Sequence, residues 1–108
     1  NIHASAEVGS WQYIPKKGSL DMGAQIDLLF DRDDSIITIC EVKYTQQHPY
    51  QLTKEEAAAL IKKVEVFKAR TKTKKQIQIA LITNMPIKET MYSEEIIAHR
   101  VTLSDLIN

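Results

Sequence analysis

A β-hairpin, a long amphipathic helix and a buried strand, in that order, predict an α/β fold with a mixed central β-sheet. The hairpin is read from two apolar runs, Ala24 to Asp31 and Ile36 to Tyr44, either side of the polar tip Asp33-Asp34-Ser35. The helix is read from Leu60, Ile61, Val64 and Phe67, which recur at helical spacing. The buried strand is Gln76 to Thr83, with the apolar run Ile77-Gln-Ile-Ala-Leu-Ile82. A strand, a crossover helix of about 18 residues and a second strand give a βαβ unit with parallel strands. Length sets the scale: 108 residues fit one domain, 1–108, with one core.

The remaining elements follow from local chemistry. Gly9 to Ile14 alternates polar and apolar residues and reads as a short first strand, closed by Pro15-Lys16-Lys17-Gly18-Ser19. Thr53 is the expected helix N-cap, and Glu56, three residues on, completes a capping box. Basic residues in the last helical turn suit the negative end of the helix dipole. Ile97 to Leu103 reads as a last strand, and Ser104 to Asn108 as a final turn. The hairpin's second strand and Gln76 to Thr83 are expected at the centre of the sheet.

Composition excludes several classes. A hydrophobic share of 44% with 26% charged residues argues against disorder. No apolar stretch approaches the roughly 18 residues that cross a bilayer, so no membrane partner is expected. The single cysteine rules out an internal disulfide framework, and a reducing cytoplasm is the simplest location. Net charge is zero, but its distribution is uneven. Residues 62–75 hold seven basic groups and one acid, Glu65, a local balance of +6. Such a segment attracts phosphate, although a solvated helix end is the commoner reason for one.

The hairpin's second strand departs from simple packing. Ile36-Ile37-Thr38-Ile39-Cys40 runs straight into Glu41-Val42-Lys43, placing an acid and a base on one face of a strand expected to be central. Taking charges out of water costs several kcal/mol each unless they are paired or coordinate something. They must therefore face one another, a metal or an open cleft. With a tip of Asp33 to Ser35, Arg32 pairs with Ile36 and Asp27 falls opposite Glu41. Opposed residues share a face with Cβ atoms about 4.5–5.5 Å apart, and two carboxylates that close repel unless a cation joins them. Hard oxygen ligands of this kind suit Mg²⁺ or Mn²⁺. The plainer alternative is a Glu41–Lys43 ion pair with Asp27 as an unrelated surface acid.

Asp27, followed by Glu41-Val42-Lys43 across a hairpin and then a helix, resembles the PD-(D/E)xK nuclease superfamily. More closely, Gly23-Ala-Gln-Ile-Asp-Leu-Leu-Phe-Asp-Arg32 and Cys40-Glu-Val-Lys-Tyr-Thr45 are similar to the C-terminal domain of a group of bacterial AAA-type ATPases. Lys63, Phe67, Thr71-Lys-Thr-Lys-Lys75 and Leu81-Ile-Thr83 extend the similarity, which covers Trp11 to Leu106. There are two departures. Ile26 stands where a Pro often precedes the first Asp, and the helix that usually opens such a core is missing or reduced to Asn1 to Val8, as in a truncated piece of a larger ATPase.

The resemblance implies a restriction-endonuclease-like core and metal-dependent hydrolysis of phosphodiester bonds in DNA. In that reading Asp27, Glu41 and the Val42 backbone carbonyl hold Mg²⁺ (or Mn²⁺), and Lys43 positions the attacking water or stabilises transition-state charge. Gln25 supports Asp27, while Lys63, Lys72, Lys74 and Lys75 join it in contacting nucleic acid. The implied partners are DNA and an N-terminal ATPase domain of the same parent chain. The alternative is a catalytically silent module that keeps the nuclease fold to bind nucleic acid or a partner. His3, His48 and His99 show no ligand spacing, Cys40 reads as a packed thiol, and Trp11 and Tyr13 read as core before base-stacking groups.

Overall fold

The computed structural model describes residues 6–107. Its elements are β1 (Ala6–Tyr13), β2 (Ala24–Arg32), β3 (Ile36–Lys43), α1 (Lys54–Thr71), β4 (Gln76–Thr83), α2 (Met91–Ile96), β5 (Ile97–Thr102) and α3 (Leu103–Ile107). One five-stranded sheet runs in the order β1-β2-β3-β4-β5. β1, β2 and β3 pair antiparallel, whereas β3, β4 and β5 pair parallel. The mixed sheet with a hairpin followed by a βαβ crossover is therefore the architecture observed, and β3 is its middle strand.

The hairpin tip sets the register. Ser35 sits in the left-handed region with φ 66°, closing the Asp33–Ser35 loop as a short hairpin requires. The ladder runs Asp31↔Ile37, Phe30↔Thr38, Leu29↔Ile39 and Leu28↔Cys40, which is the register expected from that tip. β3 then pairs along its whole length with β4, from Ile36↔Gln76 to Lys43↔Thr83.

α1 crosses one face of the sheet, and its start is fixed by the capping box: Glu56 N–H donates to Thr53 Oγ1 at 3.1 Å and Thr53 N–H to Glu56 Oε1 at 2.9 Å. Lys72, at φ 55°, ends it with an N–H bond to the Lys68 carbonyl. Beneath the helix lie two apolar groups. Tyr50, Leu52, Ala57, Leu60, Ile79, Leu81 and Ile97 form one. Ile26, Ile37, Ile39 and Phe67 form the other, with Trp11 packed edge-on against Phe67 at 5.1 Å between ring centres. Trp11 is thus a core residue, and Tyr13 lies under the Arg70 guanidinium, 4.1 Å from its ring centre.

One expectation needs correction, and two features carry no earlier expectation. Ala6–Val8 are strand, paired with Phe30–Arg32, and not the remnant of a helix; Asn1–Ser5, including His3, lie outside the described residues. The helix α2 lacks any apolar periodicity because it is only six residues long; a Thr90–Ser93 capping box holds it. It completes a second parallel crossover, from β4 to β5. Finally, β2 does not alternate strictly. Gly9 pairs with Leu29 and Trp11 with Ile26, so two steps on β1 match three on β2. The extra residue is a β-bulge. As a result Ile26 and Leu29 both reach the same apolar cluster, and Asp27 and Leu28 share the interrupted step.

Candidate functional site

The end of β3 carries charge where its beginning carries isoleucine. Ile37 and Ile39 pack under α1, and the next two residues on that face are Glu41 and Lys43. Their parallel neighbours on β4, Leu81 and Thr83, are fully buried. The pair therefore sits on a rigid floor at the carboxyl ends of parallel strands, where open α/β sheets place their sites.

α1 brings the complement. Glu56 and Lys63 are seven residues apart, two turns along one helix face. Lys63 Nζ donates to Glu41 Oε1 at 3.0 Å, and Lys43 Nζ lies 3.6 Å from Glu56 Oε2 and 4.0 Å from Glu41 Oε2. Tyr50 Oη donates to Glu56 Oε2 at 2.7 Å. One chain of polar contacts thus runs from Tyr50 through Glu56, Lys43 and Glu41 to Lys63. Side-chain exposure along it is 19% for Glu41, 25% for Lys63 and 35% for Lys43, so these charges are partly screened from solvent.

Burial raises the Tyr50 phenol strongly, and the nearby Glu56 and Glu41 carboxylates raise it further, so it stays a neutral donor. For Glu56, burial pushes the carboxyl up. Hydrogen bonds from Thr53 and Tyr50 and the charge of Lys43 outweigh that push and hold it below the usual range. A carboxyl lowered by folding adds stability that is complete above its unfolded value and lost as pH falls through the folded one. We therefore expect Glu56→Gln to cost about 0.5–1 kcal/mol at neutral pH, with the gap closing as pH falls below the ordinary carboxylate range. Urea midpoints of both proteins across that range check this.

Asp27 stands apart from this chain. It occupies the step after Leu28↔Cys40, at which the β2–β3 register would set it opposite Glu41, but the bulge lies there. Its exposed carboxylate accepts from Gln25 Nε2 at 2.8 Å. Both line a polar recess of about 500 Å³ with Ser10 and Gln12. The structure therefore brings Glu41, Lys43 and Lys63 together, and leaves Asp27 and Gln25 as a separate pair in the recess with Ser10 and Gln12. Val42 is on the other face of β3 and 54% exposed, while Cys40 next to it is buried, which pushes its thiol up.

The basic segment is largely committed to partners. Lys62 pairs with Glu65, Arg70 with Asp21, and Lys75 with Asp31. Lys72 and Lys74 are exposed and form no ion pair among the described residues. His99 is exposed and meets Gln78 at 3.1 Å.

Sequence reasoning missed two of these roles. Glu56 is legible as a capping residue, but not as the holder of Lys43. Lys63 reads as a phosphate contact, yet it is the closest cation to Glu41. The signal for both was the seven-residue spacing, which puts them on the helix face carrying Leu60 and Phe67.

Among the described residues no three His, Cys, Asp or Glu side chains converge to hold a metal ion. The two carboxylates expected as ligands do not converge: Asp27 is held by Gln25 and Glu41 by Lys63, an arrangement that does not fit Mg²⁺. Glu41 already accepts a cation, since the Lys63 ammonium rests on one of its oxygens. Among the described residues no helix is long and apolar enough to cross a membrane.

Comparison with protein-family models, curated proteins and solved structures returns no match.

Proposed function

We propose that this chain is a metal-dependent nuclease domain with a restriction-endonuclease-like core, acting on phosphodiester bonds in DNA beside an ATPase domain. The observation that carries this reading is the placement of Glu41 and Lys43, half-screened, on one face at the carboxyl end of the central strand. Asp27 lies at the adjoining step of the neighbouring strand.

In this reading Asp27 and Glu41 would hold Mg²⁺ or Mn²⁺ with the Val42 carbonyl only after Asp27 leaves Gln25 and Glu41 leaves Lys63. Such an ion would supply Lewis acidity and a more acidic water. Lys43 presents its ammonium to the cleft, where it orients water and offsets charge gathering on phosphate. Glu56, anchored by Tyr50 and Thr53, keeps that ammonium in place. Lys72 and Lys74, exposed past the end of α1, suit phosphate contacts that are indifferent to sequence.

A second reading draws on one specific observation: both Glu41 oxygens face ammonium groups. That arrangement suits a silent module as well as a metal-free enzyme. Metal dependence separates the two. The nuclease reading expects the chain to nick supercoiled plasmid with Mg²⁺ or Mn²⁺ and to stop when EDTA is added. Intact plasmid under every divalent ion, with the protein folded, rules it out and leaves the module.

A further inference from the structure

We propose that one flank of α1, together with the connection from β1 to β2, is a docking groove for an acidic amphipathic helix of a partner protein. The inference does not depend on the nuclease reading.

The groove is floored by small residues. Ala58, Lys62, Val66 and Ala69 follow one another at helical steps, so they share one face of α1. A solvated face ordinarily carries charged and polar side chains, but here alanine and valine flank the single lysine. Two recesses of about 380 Å³ and 230 Å³ open above them. Met22 and Lys62 line both, so the recesses join into one furrow reaching from Ala58 to Arg70. At the helical rise this is about 18 Å, the length of a helix of about 12 residues.

The opposite wall is held in place. Asp21 accepts from Tyr13 Oη at 3.0 Å and pairs with Arg70 at 2.9 Å, while its own N–H donates to Ser19 Oγ at 3.0 Å. A Cβ at Gly23 would meet the Tyr13 carbonyl at 3.0 Å, so the loop closes tightly on the end of β1. With Asp21 tied to α1, its neighbours stay in water: Leu20 is fully exposed and Met22 is 55% exposed. Apolar surface rimmed by polar groups marks an interaction site.

Charge selects the occupant. Residues 16–22 and 62–70 hold six basic groups and two acids, Asp21 and Glu65. Lys62, Lys63 and Arg70 are paired, whereas Lys16, Lys17 and Lys68 are exposed and form no ion pair among the described residues. A second copy of this chain would bring the same positive excess to the groove and be repelled. A nucleic acid would satisfy the cations but set phosphate against Leu20, Met22 and the alanines. An acidic amphipathic helix meets both demands, with apolar anchors at i, i+3, i+4 and i+7 and carboxylates on its flanks.

Fluorescence anisotropy with the intact chain tests this. The probe is a labelled synthetic helix of about 15 residues, with leucine at every third or fourth position and glutamate elsewhere. Saturable binding is expected, and Met22→Ser or Ala59→Gln should each weaken it about tenfold. Ala59 lines the larger recess, and glutamine there fills the furrow without changing charge. Both positions are exposed, so the fold is kept, which circular dichroism verifies. Met91→Ser, at a residue 64% exposed on α2, should leave binding unchanged. A counterpart helix with lysine in place of glutamate should not bind. Equal binding of the two helices, or affinity indifferent to both groove variants, overturns the proposal. Failure of the glutamate helix to bind overturns it outright. Vesicles of phosphatidylglycerol that bind wild type but not Leu20→Ser would then assign the patch to a lipid surface instead.

Discussion

Lys43→Ala is expected to lower metal-dependent DNA cleavage by about 10²–10³-fold, the usual cost of removing one placed charge from a reacting centre. The stability cost is expected to be small. Lys43 is 35% exposed and its contacts, at 3.6 Å and 4.0 Å, are those of a partly screened ion pair. Pairs of that kind contribute at most about 1 kcal/mol. Activity and stability therefore separate in this variant, which a structural role for Lys43 would not allow. Asp27→Ala is the companion measurement. Its carboxylate is exposed and hydrogen-bonded to Gln25, so its removal leaves the core untouched. A loss of cleavage as large as that of Lys43→Ala places Asp27 in the loaded site. Unchanged cleavage by both variants removes the assignment of these residues. Plasmid nicking rates, read beside urea midpoints, supply both comparisons.

The hairpin shows how far residues alone can carry the geometry. A short polar tip fixed the β2–β3 register correctly, because tip length and pairing are tied by turn geometry. The capping box at Thr53 and Glu56 was legible for the same reason: its chemistry is local. The bulge in β2 was not. Alternation assigns Ile26 and Leu29 to opposite faces, yet both pack in one cluster, and the paired apolar residues Leu28-Leu29 are the sole trace in the sequence. That one residue decides whether Asp27 faces Glu41 or Gln25. Lys63 and Tyr50 were equally hidden. Spacing puts Lys63 on the inward face of α1, but the partners that it and Tyr50 meet depend on how α1 lies across the sheet.

Leu81→Ala is expected to produce the largest loss of stability, about 2–5 kcal/mol. Leu81 is fully buried on β4, paired with Glu41 on one side and Arg100 on the other. A cavity there opens inside the cluster of Tyr50, Leu52, Leu60 and Ile97. A domain of this size has a total stability of about 5–15 kcal/mol, so the loss is a large share of it. Leu20→Ala, at a fully exposed position, should change stability by less than about 0.5 kcal/mol. The location of the cavity matters as much as its cost. Tyr50 packs against the same cluster and its hydroxyl holds Glu56, which in turn holds Lys43. Relaxation of Tyr50 into the space left by Leu81 loosens that chain from below. Leu81→Ala should therefore lose cleavage at temperatures where it is still folded. Ile37→Ala, in the other cluster, should lose comparable stability while cleavage follows the folded fraction. Measuring both rates against the fraction folded distinguishes a weakened scaffold from a disturbed site.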